Sequence, residues 1–151
     1  YKGIQHVISA LPELPEYDLL VAGDGPYRDS LEELTTEIGV NGRVTFLGTV
    51  DHDRLPAYYA GAGAYISLSS FESFGLTVAE SLAAGTPCVL CSATALQDWC
   101  GRESVECVTE TDPSTVASAI HAGSEYKPIT GSVTSWNDVA DSYEKIYESM
   151  L

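Results

Sequence analysis

The sequence is short of positive charge. Seven lysines and arginines stand against 22 aspartates and glutamates over 151 residues, a formal net charge of −15, and lysine occurs only at Lys2, Lys127 and Lys145. Binding along a nucleic-acid backbone depends on clustered Lys and Arg, so nucleic acid is excluded as a partner on charge alone. Many carboxylates with few lysines, in an otherwise ordinary composition, point to a salt-adapted (halophilic) protein, because dense counterions screen the self-repulsion. Also lacking is any apolar run of about eighteen residues, so no transmembrane helix is read here and the expected location is the cytoplasm. No Gly-x-Gly-x-x-Gly followed by an acidic residue on the next strand occurs, which weighs against a dehydrogenase.

Cysteine is sparse as well. Cys88 and Cys91 fall in an expected strand, where positions i and i+3 face opposite sides and do not present two thiolates to one metal. Together with Cys100 and Cys107 they are expected to be buried free thiols, with zinc or a structural disulfide as the alternative. No metal and no cofactor is assigned.

What is present is a β-α alternation without internal repeats, in a chain that is 44% hydrophobic and long enough to bury a core as one domain. Ile4, Val7, Ile8 and Leu11 mark a first helix, and Asp18 to Ala22 a strand ending at Gly23-Asp24-Gly25-Pro26. Pro26 suits the first turn of a helix running through Leu31, Leu34 and Ile38, with Gly39 at its end. Strands are expected at Val44–Leu47, Ala64–Leu68, Pro87–Cys91 and Val105–Val108, with a short helix at Leu55–Tyr59. Asp112-Pro113 opens a helix through Val116 and Ile120, and Trp136, Val139, Tyr143, Ile146 and Met150 form the stripe of a last one. The alternation predicts a Rossmann-like, doubly wound parallel sheet with ligand sites at the carboxyl ends of its strands.

The densest chemistry lies between Ser67 and Pro87. Tyr65, Ile66 and Leu68 read as a strand, and Leu76, Ala79, Leu82 and Ala83 recur at helical spacing until Gly85 and Pro87 stop the helix. The turn between them aims the N–H groups of Gly75, Leu76 and Thr77 at the open sheet edge, where the helix dipole favours an anion such as a diphosphate. Glu72 before the helix and Glu80 in its second turn would repel a bare phosphate. They are better read as acceptors for the hydroxyls of a sugar or ribose.

The Glu-x7-Glu spacing, with Phe-Gly-Leu-Thr inside it and Ala-Ala-Gly-Thr-Pro after it, resembles the donor-site signature of family 4, or group 1, retaining nucleotide-sugar glycosyltransferases, the GT-B enzymes with two facing Rossmann-like domains. Lys2-Gly3-Ile4, Val21 to Pro26, Val44 to Gly48, Leu55 to Tyr59 and Ser135-Trp136 agree in order and spacing. The resemblance covers the C-terminal, donor-binding domain, so residues 1–151 are expected to be a fragment of a larger two-domain enzyme, lacking a first strand and the N-terminal acceptor domain. Any peripheral membrane contact would come through that domain. By resemblance the donor is a nucleoside diphosphate sugar, bound without a metal. Glu80 would accept from the ribose hydroxyls, and Glu72, the catalytic-site carboxylate, would hold the transferred sugar. Amides around Phe74, Gly75 and Leu76 would hold sugar and diphosphate, Lys2 the phosphate, Gly23 and Gly25 a wall beside it, and the backbone of Phe46, Leu47 and Gly48 the nucleobase, with Leu55 and Tyr59 helping. The family's catalytic His belongs to the other domain, so His6, His52 and His121 inherit no such role.

The chain also departs from the pattern. After Cys91 the family runs through a glycine-containing turn beside the sugar, whereas Ser92 to Cys100 here is bulkier and glycine-free. The alternatives left open are a non-catalytic nucleotide-sugar-binding module and a GT-B sugar epimerase.

Overall fold

The computed structural model describes residues 2–126; the helix expected over Trp136–Met150 lies outside them. Five helices and five strands alternate in the order α1 (Ile4–Ala10), β1 (Leu19–Ala22), α2 (Arg28–Glu37), β2 (Val44–Gly48), α3 (Leu55–Gly61), β3 (Tyr65–Ser67), α4 (Leu76–Ala83), β4 (Cys88–Cys91), β5 (Val105–Val108) and α5 (Pro113–Ser124), with short 3-10 turns between some of them. Every strand pairing is parallel: β1 lies beside β2, and β4 lies between β3 and β5. Parallel strands need crossover connections, supplied by α2 between β1 and β2, by α4 between β3 and β4 and by the 3-10 turn Thr94–Trp99 between β4 and β5, and the fold is Rossmann-like α/β.

Strand β4 is buried along its whole length. Its side chains alternate between two faces: Cys88 and Leu90 join Val78, Leu82, Leu96 and Trp99 on the α4 side, whereas Val89 and Cys91 join Val7, Val116 and Ile120 on the side of α1 and α5. The two cysteines therefore do face apart, and both are free and buried. Helix α1 ties the two ladders together, since Val7 and Ala10 pack towards β4 and α5 while Ile8 packs with Leu11 and Val40 over β1 and β2. Its entry is held close to the sheet. Gly3 has φ +78°, and a Cβ there would run into the Leu68 carbonyl, so only glycine fits.

The start of α5 matches its sequence signal. Asp112 accepts from the Thr115 N–H at 3.0 Å, and Pro113 occupies the first turn, where its missing N–H costs nothing. The expectation for Pro26 needs correcting. Helix α2 begins at Arg28, and Pro26 sits in the preceding turn closed by Arg28 N–H on the Gly25 carbonyl.

The expectation of four free thiols also fails for two of them. Cys100 and Cys107 form a disulfide, with Cα atoms 5.9 Å apart. Cys100 ends the 3-10 turn Thr94–Trp99, and the chain then folds back through Gly101 (φ +81°) and Ser104 (φ +60°) into β5. The pairing joins two different elements, so strand alternation gave no view of it.

Candidate active site

The loops after β1 and β2 leave the carboxyl ends of one parallel pair, and the turn from β3 into α4, at the carboxyl end of the other sheet, carries most of the chemistry. Gly75 caps α4 with φ +85°, a conformation that lets the chain turn from Ser69–Phe74 straight into the helix. A Cβ on Gly75 would come within 3.1 Å of Trp99 Nε1 and 3.3 Å of Leu96 and Val78, so a larger residue would crowd these side chains as well. Ser69, fully buried, steadies the loop by donating to the Phe71 carbonyl at 2.8 Å.

Glu72 projects from this loop and meets Lys2, whose Nζ lies 3.5 Å from its Oε2. Its other oxygen accepts from the Ser73 N–H at 3.1 Å. Burial pushes the Glu72 pKa up, but the amides of Ser73, Phe74 and Gly75 and the Lys2 ammonium outweigh it, holding the carboxyl below its usual range. Glu72 is thus held ionised beside the amides of Phe74 and Gly75, two of those that the sequence pattern allots to an anion or a sugar oxygen.

Glu80 lies one helical turn deeper. The Tyr59 hydroxyl donates to its Oε2 at 3.2 Å, and beside this pair opens a cavity of about 290 Å³ lined by His52, Leu55, Pro56, Tyr59, Glu80, Ala83 and Ala84. Tyr59 is fixed from three directions: it is 9% exposed, it meets Tyr65 edge-on at 5.7 Å, and its carbonyl accepts from the Thr86 hydroxyl. Burial pushes its pKa far up, keeping the phenol a neutral donor. Tyr65 in turn donates to Thr77 at 2.7 Å, so each of the two tyrosines orients one polar side chain of α4.

The glycine loops meet each other. Gly23 N–H donates to the Gly48 carbonyl at 2.7 Å, while Gly25 N–H turns back to Asp24. Phe46 packs into the cluster of α1 and α2, beneath the Arg28 guanidinium, and neither it nor Leu47 or Gly48 lines the cavity beside Glu80. Lys2, Glu72, Phe74, Gly75, Leu76 and Thr77 therefore form one group and Glu80 with Leu55 and Tyr59 a second, whereas Gly23 and Gly48 meet each other and Gly25 meets Asp24, apart from both groups. Sequence reasoning gave no place at the site to His52, which lies in no motif; it marked the Ser92–Cys100 stretch beside the sugar without singling out Trp99, whose contact with the turn only the fold shows.

In an open parallel α/β domain the ligand crevice lies outside the carboxyl ends of the strands, where the β3–α4 turn stands. The model of the glycosyl transferases group 1 family matches residues 1–120, and the chain belongs to that family. It is 40% identical over 100 residues to an uncharacterised glycosyltransferase of Methanocaldococcus jannaschii, covering 64% of this chain and 26% of that protein. Identity is also 40% over 92 residues to the α-monoglucosyldiacylglycerol synthase of Streptococcus pneumoniae, with 58% and 21% covered. The chain thus spans about a quarter of the length of these relatives. Among solved structures, the sucrose-phosphate synthase of Thermosynechococcus elongatus superposes with a TM-score of 0.71 at 25% identity over 99% of this chain and 42% of that one. Anabaena HepE, solved in complex with UDP-glucose, does so at 0.72 and 22% identity, over 99% of this chain and 45% of the other. Among the described residues no helix is long and apolar enough to cross a membrane.

Proposed function

We propose that this chain is the donor-binding domain of a retaining glycosyltransferase, holding a nucleoside diphosphate sugar whose sugar passes to an acceptor bound mainly by a second, N-terminal domain. The observation that carries the reading is that Glu72, just before α4, and Glu80, within it, are each held by a partner of their own, Lys2 and Tyr59. Glu80, held by Tyr59, accepts from the ribose hydroxyls, and the adjoining 290 Å³ cavity receives the nucleobase on Leu55 and Tyr59. Glu72 moves from its local amides to the hydroxyls of the transferred sugar, freeing the N–H groups of Phe74 and Gly75 for ligand oxygens. The N–H groups of Leu76 and Thr77, the helix dipole and Lys2 stabilise the leaving diphosphate as charge develops on it, without a metal. Gly23 and Gly25 stand towards the diphosphate, and the nucleobase role expected for the Phe46–Gly48 backbone passes to Leu55 and Tyr59, since those three residues do not line the cavity. The UDP-glucose complex of the structurally similar HepE supports a nucleotide-sugar ligand.

The test is a calorimetric panel of UDP, GDP and ADP with their hexose conjugates. Glu80→Ala is expected to weaken nucleoside diphosphate binding by about tenfold to a hundredfold, as befits a charge-assisted hydrogen bond worth about 1.5 to 3 kcal/mol. Glu72→Ala should spare the plain diphosphate and weaken only the sugar-bearing donor. Transfer to an acceptor is expected once the N-terminal domain is present and not from residues 1–151 alone. Equal affinity of wild type and a folded Glu80→Ala protein would overturn the assignment.

A further inference from the structure

Phe74 and Gly75 share one peptide unit. In a planar trans peptide the C=O and N–H point in opposite directions, so whatever holds the Phe74 oxygen also aims the Gly75 N–H. The holder is Trp99. Its Nε1–H donates to the Phe74 carbonyl at 2.8 Å, its ring meets the Phe74 ring edge-on at 6.0 Å, and its indole nitrogen closes the space where a Gly75 Cβ would stand. On the opposite side of the same peptide, the Gly75 N–H interacts with the Glu72 carboxylate. An amide whose oxygen is already engaged is a better donor through its nitrogen.

The indole is itself clamped. It is 6% exposed, the Arg102 guanidinium lies 4.5 Å above its centroid, and the next residue, Cys100, is bonded to Cys107 in β5. This segment is the glycine-free stretch that departs from the family pattern, so its support for the turn comes from a side chain. We infer that Trp99 is a positioning residue for the donor sugar: its indole N–H fixes the 74–75 peptide so that the Gly75 N–H faces the sugar oxygens, and the Cys100–Cys107 bridge keeps the indole in place. The inference rests on the donor-site reading of Glu72 and Glu80 proposed above. It gives Trp99 a role in discriminating the sugar-bearing donor from the bare nucleoside diphosphate, since in the proposed site the diphosphate rests on the Leu76 and Thr77 N–H groups and Lys2 and the ribose on Glu80, leaving the Gly75 N–H to the sugar.

Titrations of the whole chain with the nucleoside diphosphate selected by the panel, and with its hexose conjugate, test it. Trp99→Phe keeps an aromatic ring in the cluster and removes the N–H, together with part of the indole's buried volume. It should weaken the hexose conjugate by about threefold to tenfold while leaving the nucleoside diphosphate within about twofold, the loss of one neutral hydrogen bond acting at one end of the ligand. A Cys100→Ser/Cys107→Ser protein, which retains Trp99, should show a loss of the same selectivity and provides the measurement if Trp99→Phe does not fold. Unchanged affinities, or an equal fall for both ligands, would overturn the inference, because a merely structural role moves both together. A wild-type chain that binds no nucleotide of the panel would instead remove the donor-site reading itself, and this inference with it.

Discussion

The Tyr59 hydroxyl donates a hydrogen bond to Glu80 Oε2 at 3.2 Å, tying α3 to α4 across 21 residues of sequence. A carboxylate on an amphipathic helix is free to choose among rotamers; a buried phenol that cannot ionise near neutral pH restricts that choice before any ligand arrives. Tyr59→Phe keeps the ring against Tyr65 and deletes this contact. Nucleoside diphosphate affinity is expected to fall by about twofold to tenfold, less than for Glu80→Ala, with the melting temperature little changed. Affinity equal to wild type would show that Glu80 needs no orientation from below.

Gly75 is the most constrained position of the site, since it combines φ +85° with Trp99, Leu96 and Val78 around the missing Cβ. Gly75→Ala is expected to lower stability by about 1 to 3 kcal/mol, the cost of a strained backbone conformation with added crowding. Gly63→Ala, in open space, serves as the control and should stay within about 0.5 kcal/mol. Denaturant unfolding of the two variants gives the comparison directly.

A third expectation concerns acid. The Asp112 carboxylate accepts bonds from Thr115 and Ser114 at the start of α5, which hold its pKa down to about 2, below the ordinary value near 3.8. A depressed folded-state pKa contributes stability that is fully present above the unfolded value and lost as pH falls through the folded one. Asp112→Ala should therefore melt below wild type at pH 7, and the gap should close as pH is lowered from about 4 towards 2. A gap that stays constant over that range would mean that the carboxylate charge is irrelevant to the cap.

The charge imbalance gives a fourth. With a formal net charge of −15, the chain repels itself at low ionic strength. The Debye length shrinks from about 30 Å at 0.01 M salt to about 3 Å at 1 M, so the melting temperature is expected to rise steeply with KCl. Nucleotide binding should weaken less than an exposed ion pair would, because backbone N–H groups and Glu80 carry much of it. A melting temperature indifferent to KCl would remove the salt-adapted reading and leave the site untouched.

The sequence by itself determined the order and type of the elements from Ile4 to Ser124, because apolar periodicity, Gly and Pro stops and the Asp112-Pro113 cap are local signals. It also singled out Glu72, Gly75 and Glu80, since their spacing around a strand-to-helix turn is written within a few residues. Even the opposed burial of Cys88 and Cys91 followed from strand alternation. What only the tertiary structure decided is how distant segments meet: Lys2 on Glu72, Tyr59 beneath Glu80, His52 at the cavity wall, Cys100 bonded to Cys107, and Trp99 behind the Phe74–Gly75 peptide. Each of these contacts joins elements whose proximity depends on sheet order and helix packing. Chain periodicity fixes which face a side chain takes; it carries no distance to a residue on another element, and that distance is what turns a pair of carboxylates into a site.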